Sequence, residues 1–200
     1  MDGEIVFRAT VLLMMLGYIV PRSTYRRKAR KATPEDRQFL RDTTESRLRL
    51  ALLGVCGLSA DLLSIAWAIH PPWLAWSSLP LPVWLRWWGV PCALAAVWTG
   101  CVAHRTLGFN YTPDLRTKTG HRLVAEGVYA RVRHPMYTSF FALLAACFLL
   151  TANWLIGALG LGYALLIIGR AGHEERMMLE RFGEEYLTYM QDTGRFLPRL

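Results

Sequence analysis

Five apolar runs alternate with polar, basic segments along this 200-residue chain, at 5–20, 50–69, 83–103, 137–150 and 154–168. A helix needs about 20 apolar residues to cross roughly 30 Å of hydrocarbon, with about 17 as the usual lower end. The second and third runs reach that length. The first, fourth and fifth are shorter and require bilayer thinning, snorkelling flanks or burial within a bundle. The pattern predicts an all-α, polytopic integral membrane protein with about five transmembrane helices. Only a short turn, about 151–154, joins the last two runs, so they form an antiparallel hairpin. The first run does not resemble a cleaved leader, because Met1-Asp2-Gly3-Glu4 is acidic and no small-residue cleavage site follows.

Composition sharpens this picture. Hydrophobic residues make up 53% of the chain and charged ones 19%, and the charges are clustered, which argues against a soluble bundle of greasy helices. Segment 22–49 holds ten Lys and Arg, 105–136 holds six and the tail from 170 holds five, whereas 70–82 and 151–153 hold none. Basic residues near membrane ends favour the cytoplasmic side, so the three basic segments are expected there, with the N-terminus outside and the C-terminus inside. Trp73, Trp76, Trp84, Trp87 and Trp88 flank the uncharged connection as an interfacial belt would. Segment 32–49, with Thr33-Pro34-Glu35 as a helix start, reads as an interfacial helix. The net charge of +8 points to anionic lipid and not to nucleic acid, because the basic residues sit beside membrane ends.

Several chemistries are disfavoured. No Gly-x-Gly-x-x-Gly follows a predicted strand, no Walker loop is present, and the histidines lack a metal-ligand spacing. Gly157, Gly160 and Gly162 lie inside an apolar helix and read as a packing face. Cys56, Cys92, Cys101 and Cys147 fall in apolar runs without a Cys-x-x-Cys pair, so no metal site is expected. Asp61, mid-run, needs a partner such as Arg86 or a polar neighbour, or has a functional role. His104 and Arg105 read as interfacial residues.

Two ionisable clusters meet at one end of the hairpin. Arg133, His134 and Tyr137 open the fourth run, and Arg170, Glu174 and Glu175 close the fifth. Pro135 suits a first helical turn, whose free amides favour an anionic group such as a carboxylate. The two glutamates offer oxygens to hydroxyls or a cation. A zwitterionic, ribose-containing ligand would suit such a site, and ordinary flanking charge with a capped tail helix is the plain alternative.

The order His121-x-Leu123-Val124-x-x-Gly127-x-Tyr129, Arg133-His134-Pro135-x-Tyr137, Arg170 with Glu174-Glu175, and Phe182-Gly183-Glu184-Glu185-Tyr186-x-x-Tyr189 resembles the isoprenylcysteine carboxyl methyltransferase family. The resemblance covers roughly 105–200, about half the chain. It implies an integral membrane methyltransferase with S-adenosylmethionine as donor and S-adenosylhomocysteine as product. The acceptor it implies is lipophilic, most simply an isoprenylcysteine carboxylate on a prenylated small molecule or protein, met at the cytoplasmic face of the lipid bilayer. His134, Tyr137, Glu174 and Glu175, with the adjoining Arg133, would hold the cofactor, and Leu123, Val124, Gly127 and Tyr129 would form its wall. Arg170 would face the acceptor, and Arg170 and Glu175 would carry the catalytic roles. Residues 1–104 would be an N-terminal membrane region and 105–200 the methyltransferase region, with its hairpin at 137–169.

The chain resembles a minimal, five-span, prokaryote-like member, and its tail 193–199 differs from the eukaryotic ending. A carboxylate acceptor needs no general base, and Arg170 would hold it in a charge-assisted fork. An amine acceptor, as in a phospholipid methyltransferase, would need Glu174 or Glu175 as base. Asn110, in the loop after the third run, would reach the acceptor. A NADPH-dependent reductase of sterol-reductase type is a further alternative. A haem-carrying subunit is disfavoured, because His70 and His104 fall at opposite membrane sides.

Overall fold

Each predicted apolar run is helical, the third as two helices, in the computed structural model, which describes residues 2–30, 47–108 and 123–199. The helices are α1 (Asp2–Arg30), α2 (Arg47–Ile69), α3 (Val83–Trp87), α4 (Gly89–Leu107), α5 (Pro135–Thr151), α6 (Trp154–Phe182) and α7 (Glu184–Asp192). Short 3-10 turns lie at Pro71–Ser77 and Gly127–Ala130. No strand occurs among the described residues, which carry two isolated bridges, Ser78 with Asn153 and Val132 with Gly194. The interfacial helix expected at 32–49 lies, except for its last three residues, outside the described residues, as do His121 and Asn110.

The helices are apolar on their outer faces as well as their inner ones. On α1, Phe7, Val11, Met14, Met15 and Tyr18 are buried at helical spacing, while Ile5 and Leu13 are each 68% exposed. Val55, Leu58 and Leu62 of α2 and Leu161 and Leu165 of α6 are exposed in the same way. A helix that is greasy all round yet half uncovered needs an apolar solvent. α1 over Gly3–Tyr25, α2 over Leu48–Ile69 and α6 are each long and apolar enough to cross a membrane, and α5 is a shorter apolar helix.

Small residues set the helix spacing, as they must where lipid removes the hydrophobic drive between helices. Ala93, Ala96, Gly100 and Ala103 form a buried stripe on α4, and α5 packs along it. A Cβ at Gly89 would lie 2.6 Å from Leu150 Cγ, and one at Gly157 2.6 Å from Phe148 Cδ2. The glycine run of α6 is thus partly a packing face, because Gly157 and Gly160 meet α5 whereas Gly162 faces open space.

Two boundaries differ from expectation. The third run, expected to be continuous over 83–103, breaks between α3 and α4. Pro91 lacks the N–H that would continue the ladder from α3, and it is tolerated because it sits in the first turn of α4. The first run continues to Arg30 with Pro21 inside it, so part of the basic segment is helical.

Polar anchoring at one end of the bundle is dense. Arg8 donates to Ala68 O at 2.6 Å and Ile69 O at 2.7 Å, capping α2. Arg86 donates to Leu150 O at 2.7 Å and pairs with Glu4 at 2.8 Å, so it is not the partner of Asp61, whose electrostatic neighbour is Arg22 of α1. Asn153 accepts from Leu155 N and Ile156 N as the N-cap of α6, and its Nδ2 donates to Ser77 Oγ at 2.7 Å and Leu74 O at 3.1 Å. At the opposite end His104 is buried, not interfacial; its Nδ1 lies 2.7 Å from Gly100 O and its ring packs near Tyr25.

Candidate active site

The site lies where α5 begins and α6 leaves its apolar run 154–168. His134 is the N-cap residue of α5, with Pro135 in the first turn, so its side chain is fixed at the helix mouth. Its ring is buried and stacks on Tyr137 at 5.3 Å with only 2° between the planes, the geometry of residues three apart on one helix face. Tyr137 donates its hydroxyl to Glu174 Oε2 at 2.8 Å, and His134 Nδ1 lies 3.8 Å from that same oxygen.

Glu175 is the centre of the arrangement. It is 9% exposed, and both of its oxygens are engaged. His134 Nε2 and Arg133 Nε each lie 3.2 Å from Oε1, and Arg195 Nη2 lies 3.0 Å from Oε2. Burial alone would raise the carboxyl's pKa. The hydrogen bond and charge of His134, then Arg195 and Arg133, outweigh it and hold the group at about 2. Glu175 is therefore a fixed anion at neutral pH.

The chain closes around this anion. Arg133 also donates to the carbonyls of Met190 and Thr193, tying α7 and the tail to the mouth of α5. Segment 193–196 then runs beside 131–134: Gly194 N donates to Arg131 O, Arg133 N to Gly194 O, and His134 N to Arg195 O at 3.0 Å. Thr138 Oγ1 donates to Phe196 O at 2.6 Å. Any side chain at Gly194 would strike the carbonyl of Leu197, so the turn requires glycine.

The wall residues form a second group. Val124 and Tyr129 are buried with Ala103 against Leu107, Val128 and Met136, and Leu123 is half-buried beside them. Gly127 takes a φ of +60°, and a Cβ there would lie 3.1 Å from Thr106 Oγ1, so the turn seats directly on α4. Tyr189 links the two groups by donating its hydroxyl to Tyr129 O at 2.7 Å, and burial, eased by Arg133, raises its pKa to about 12. Tyr186 is pushed up by burial and then by the charges of Glu175 and Glu174, so both phenols stay protonated donors.

The structure thus brings together Arg133, His134, Tyr137, Glu174 and Glu175 and sets Leu123, Val124, Gly127 and Tyr129 next to them. Arg170 lies half-buried one turn before Glu174 on the same side of α6, and toward the membrane its charge acts on Tyr163. Asn110 lies outside the described residues. Sequence reasoning did not single out Arg195, Phe196 or the strand-like pairing of the tail. Gly194, a turn residue four positions before a proline, was the available signal.

Residues 89–180 match the sequence model of the isoprenylcysteine carboxyl methyltransferase (ICMT) family. The protein-S-isoprenylcysteine O-methyltransferase of Tribolium castaneum is 34% identical over 91 residues, covering 45% of this chain and 32% of that one. The human protein of the same name is 33% identical over 94 residues, with the same coverage of 45% and 32%. The Saccharomyces cerevisiae protein is 31% identical over 108 residues, 50% of this chain and 44% of its own. The chain therefore spans a third to under half of these relatives' lengths. A solved structure of the eukaryotic intramembrane Ras methyltransferase ICMT superposes with a TM-score of 0.56 at 24% identity, covering 78% of this chain and 54% of that one, which establishes a shared fold. Through the segment 89–180, which begins at α4 and contains His134 and Glu175, the chain is similar to the isoprenylcysteine carboxyl methyltransferase family.

Proposed function

We propose that this protein is an S-adenosylmethionine-dependent methyltransferase that esterifies the carboxylate of a lipophilic, isoprenylcysteine-type acceptor at the membrane surface. The observation that carries this reading is the cage around Glu175, in which His134, Arg133 and Glu175 lie within the segment similar to the family and Arg195 closes it from the tail. The relatives named above are isoprenylcysteine O-methyltransferases, and from them the acceptor class is taken.

The residues fit such a donor. Glu174 and Glu175 supply carboxylates for hydroxyls and positive charge, and Arg195 has a buried Nε–H with no hydrogen-bond partner among the described residues. Tyr137 and Phe196 flank His134 with aromatic surface. When bound, S-adenosylmethionine supplies a methyl group on a sulfonium, open to in-line attack. The chain's part is to orient the attacking oxygen and to exclude water. Arg170 holds the acceptor carboxylate in a planar fork at the end of the apolar run of α6.

This division of labour favours a carboxylate acceptor over an amine. A carboxylate needs no proton removed, and a group held at about 2, as Glu175 is, makes a weak base at neutral pH. Glu175 thus serves as an organising anion, and the direct catalytic role falls to Arg170. In the same reading residues 1–104 form the membrane frame and 105–200 the methyltransferase region. There are five crossings, the N-terminus is outside, and the basic end with the site faces the cytoplasm, as the Lys and Arg distribution favours.

The test is methyl transfer from labelled S-adenosylmethionine in detergent, offering a farnesylcysteine derivative and phosphatidylethanolamine in parallel. Base-labile label on the farnesylcysteine alone is the expected result. Label on the amine lipid would replace the carboxylate with an amine acceptor, and label on neither would remove the reading.

A further inference from the structure

Resting on the proposed donor, we infer that Arg195 of the returning tail binds the carboxylate of the donor's methionyl group, so that the tail is part of the cofactor site.

Three features show that the guanidinium is seated before any ligand arrives. First, its main chain is held by the pairing of 193–196 with 131–134, including His134 N donating to Arg195 O at 3.0 Å. Second, α6 makes room for it: a Cβ at Gly172 would lie 3.2 Å from Arg195 Nη2. Third, Nη2 is anchored on Glu175 Oε2 at 3.0 Å, and the guanidinium lies 5.4 Å from the Phe196 ring centroid. A long side chain normally loses rotamer freedom when it binds. Here that freedom is already restricted, so little remains to be lost.

One donor atom is left over. Arg195 Nε is fully buried and has no hydrogen-bond partner among the described residues. A buried N–H of this kind is expected to find an acceptor. The charges indicate which acceptor. Glu175, one negative charge, is met by Arg133, Arg195 and His134, while Glu174 is bonded to Tyr137 and 3.8 Å from His134. Arg195 Nε is therefore the donor left open to an anionic group, and the half-exposed carboxylate of Glu174 is the acceptor left open to a cation. A ligand carrying both an anionic group and a positive one matches both halves. A carboxylate also matches the planar edge of a guanidinium, which an ammonium group would not reproduce. The segment matched to the family model ends at residue 180, before the tail begins.

The experiment measures binding rather than turnover. S-adenosylmethionine and its decarboxylated analogue share the sulfonium, the amine and the nucleoside, and differ only in the carboxylate. Calorimetric titration of the full chain in detergent should show the wild type binding the analogue ~10–100-fold more weakly, the range for one charge-assisted hydrogen bond. Arg195→Met should lose the same ~10–100-fold for S-adenosylmethionine while changing the analogue's affinity less than about threefold, and Arg195→Lys should recover part of the loss. Thermal melting of each variant reports whether the tail stays docked. Equal loss for both ligands would overturn the inference, because Arg195 would then only brace Glu175, and so would undiminished S-adenosylmethionine affinity in Arg195→Met. Failure of the wild type to bind either ligand would instead overturn the donor assignment itself, and the inference with it.

Discussion

The two ends of the helical bundle use similar residues for different purposes. At one end Arg8, Arg86 and Asn153 direct their donors chiefly at main-chain carbonyls: Ala68 and Ile69, Leu150, and Leu74. Those carbonyls lie at helix ends or in a 3-10 turn, where the intrahelical ladder leaves acceptors open. At the other end Arg133, His134 and Arg195 converge on a side chain, the buried carboxylate of Glu175. A cation on a helix-end carbonyl completes the fold. Two arginines and a histidine around one buried anion, with an N–H left unmatched among the described residues, make a candidate site. Charge at a membrane boundary is thus no functional signal by itself, and the destination of its hydrogen bonds is what separates the two ends.

The largest effect expected at the site end is on turnover. Arg170→Ala should lower methyl transfer by ~100-fold or more while leaving S-adenosylhomocysteine affinity nearly intact, if the proposed fork serves the acceptor. Arg170→Lys should recover only part, because it keeps charge without the planar fork. Steady-state rates beside calorimetric titration separate the two; parallel losses would put Arg170 on the donor side, and near-wild-type turnover would leave it a snorkelling residue.

Next in size is Glu175→Gln, which keeps shape but removes the charge that Arg133, His134 and Arg195 share. S-adenosylmethionine binding should weaken by about 1–3 kcal/mol, measured on protein that still melts cooperatively. Unchanged affinity would move Glu175 out of the site.

The opposite end should behave in the reverse manner. Asn153→Ala removes an N-cap and two buried hydrogen bonds, so it should cost about 1–3 kcal/mol of stability, read as a lower melting temperature, with ligand affinity in the folded fraction unchanged. A fall in affinity without a fall in stability would erase the distinction between the two ends.

The smallest effect is on pH dependence. Because the folded-state pKa of Glu175 lies below its ordinary range near 4.3, its stabilising contribution is present above that range and lost as pH falls toward about 2. Wild-type melting temperature should therefore drop more between about pH 5 and 3 than that of Glu175→Gln.

Much of this was legible in the sequence, for identifiable reasons. Hydrophobic period and length marked the helices, and the short turn before Trp154 forced α5 and α6 together, which placed His134 opposite Glu174 and Glu175. What the sequence concealed was long-range pairing. Arg195 and Glu175 meet because 193–196 folds back on 131–134, and such a pairing has no local periodicity to betray it. Arg86 and Asp61 were plausible partners as two isolated charges in apolar runs. Direction along the helices separates them, since Arg86 sits with Glu4 at the end opposite the site. His104 likewise looked interfacial by position, yet its helical phase turns it inward onto Gly100.

The central claim is that the cluster at Glu175 is a donor site and the cluster at Arg86 is not. It is tested most directly by titrating S-adenosylhomocysteine and NADPH, in detergent, into the wild type, Glu175→Gln and Arg86→Met. Saturable binding of S-adenosylhomocysteine but not NADPH, weakened about tenfold or more by Glu175→Gln and unchanged by Arg86→Met, is the predicted result. Preferential binding of NADPH, or equal sensitivity of S-adenosylhomocysteine binding to both substitutions, would contradict it.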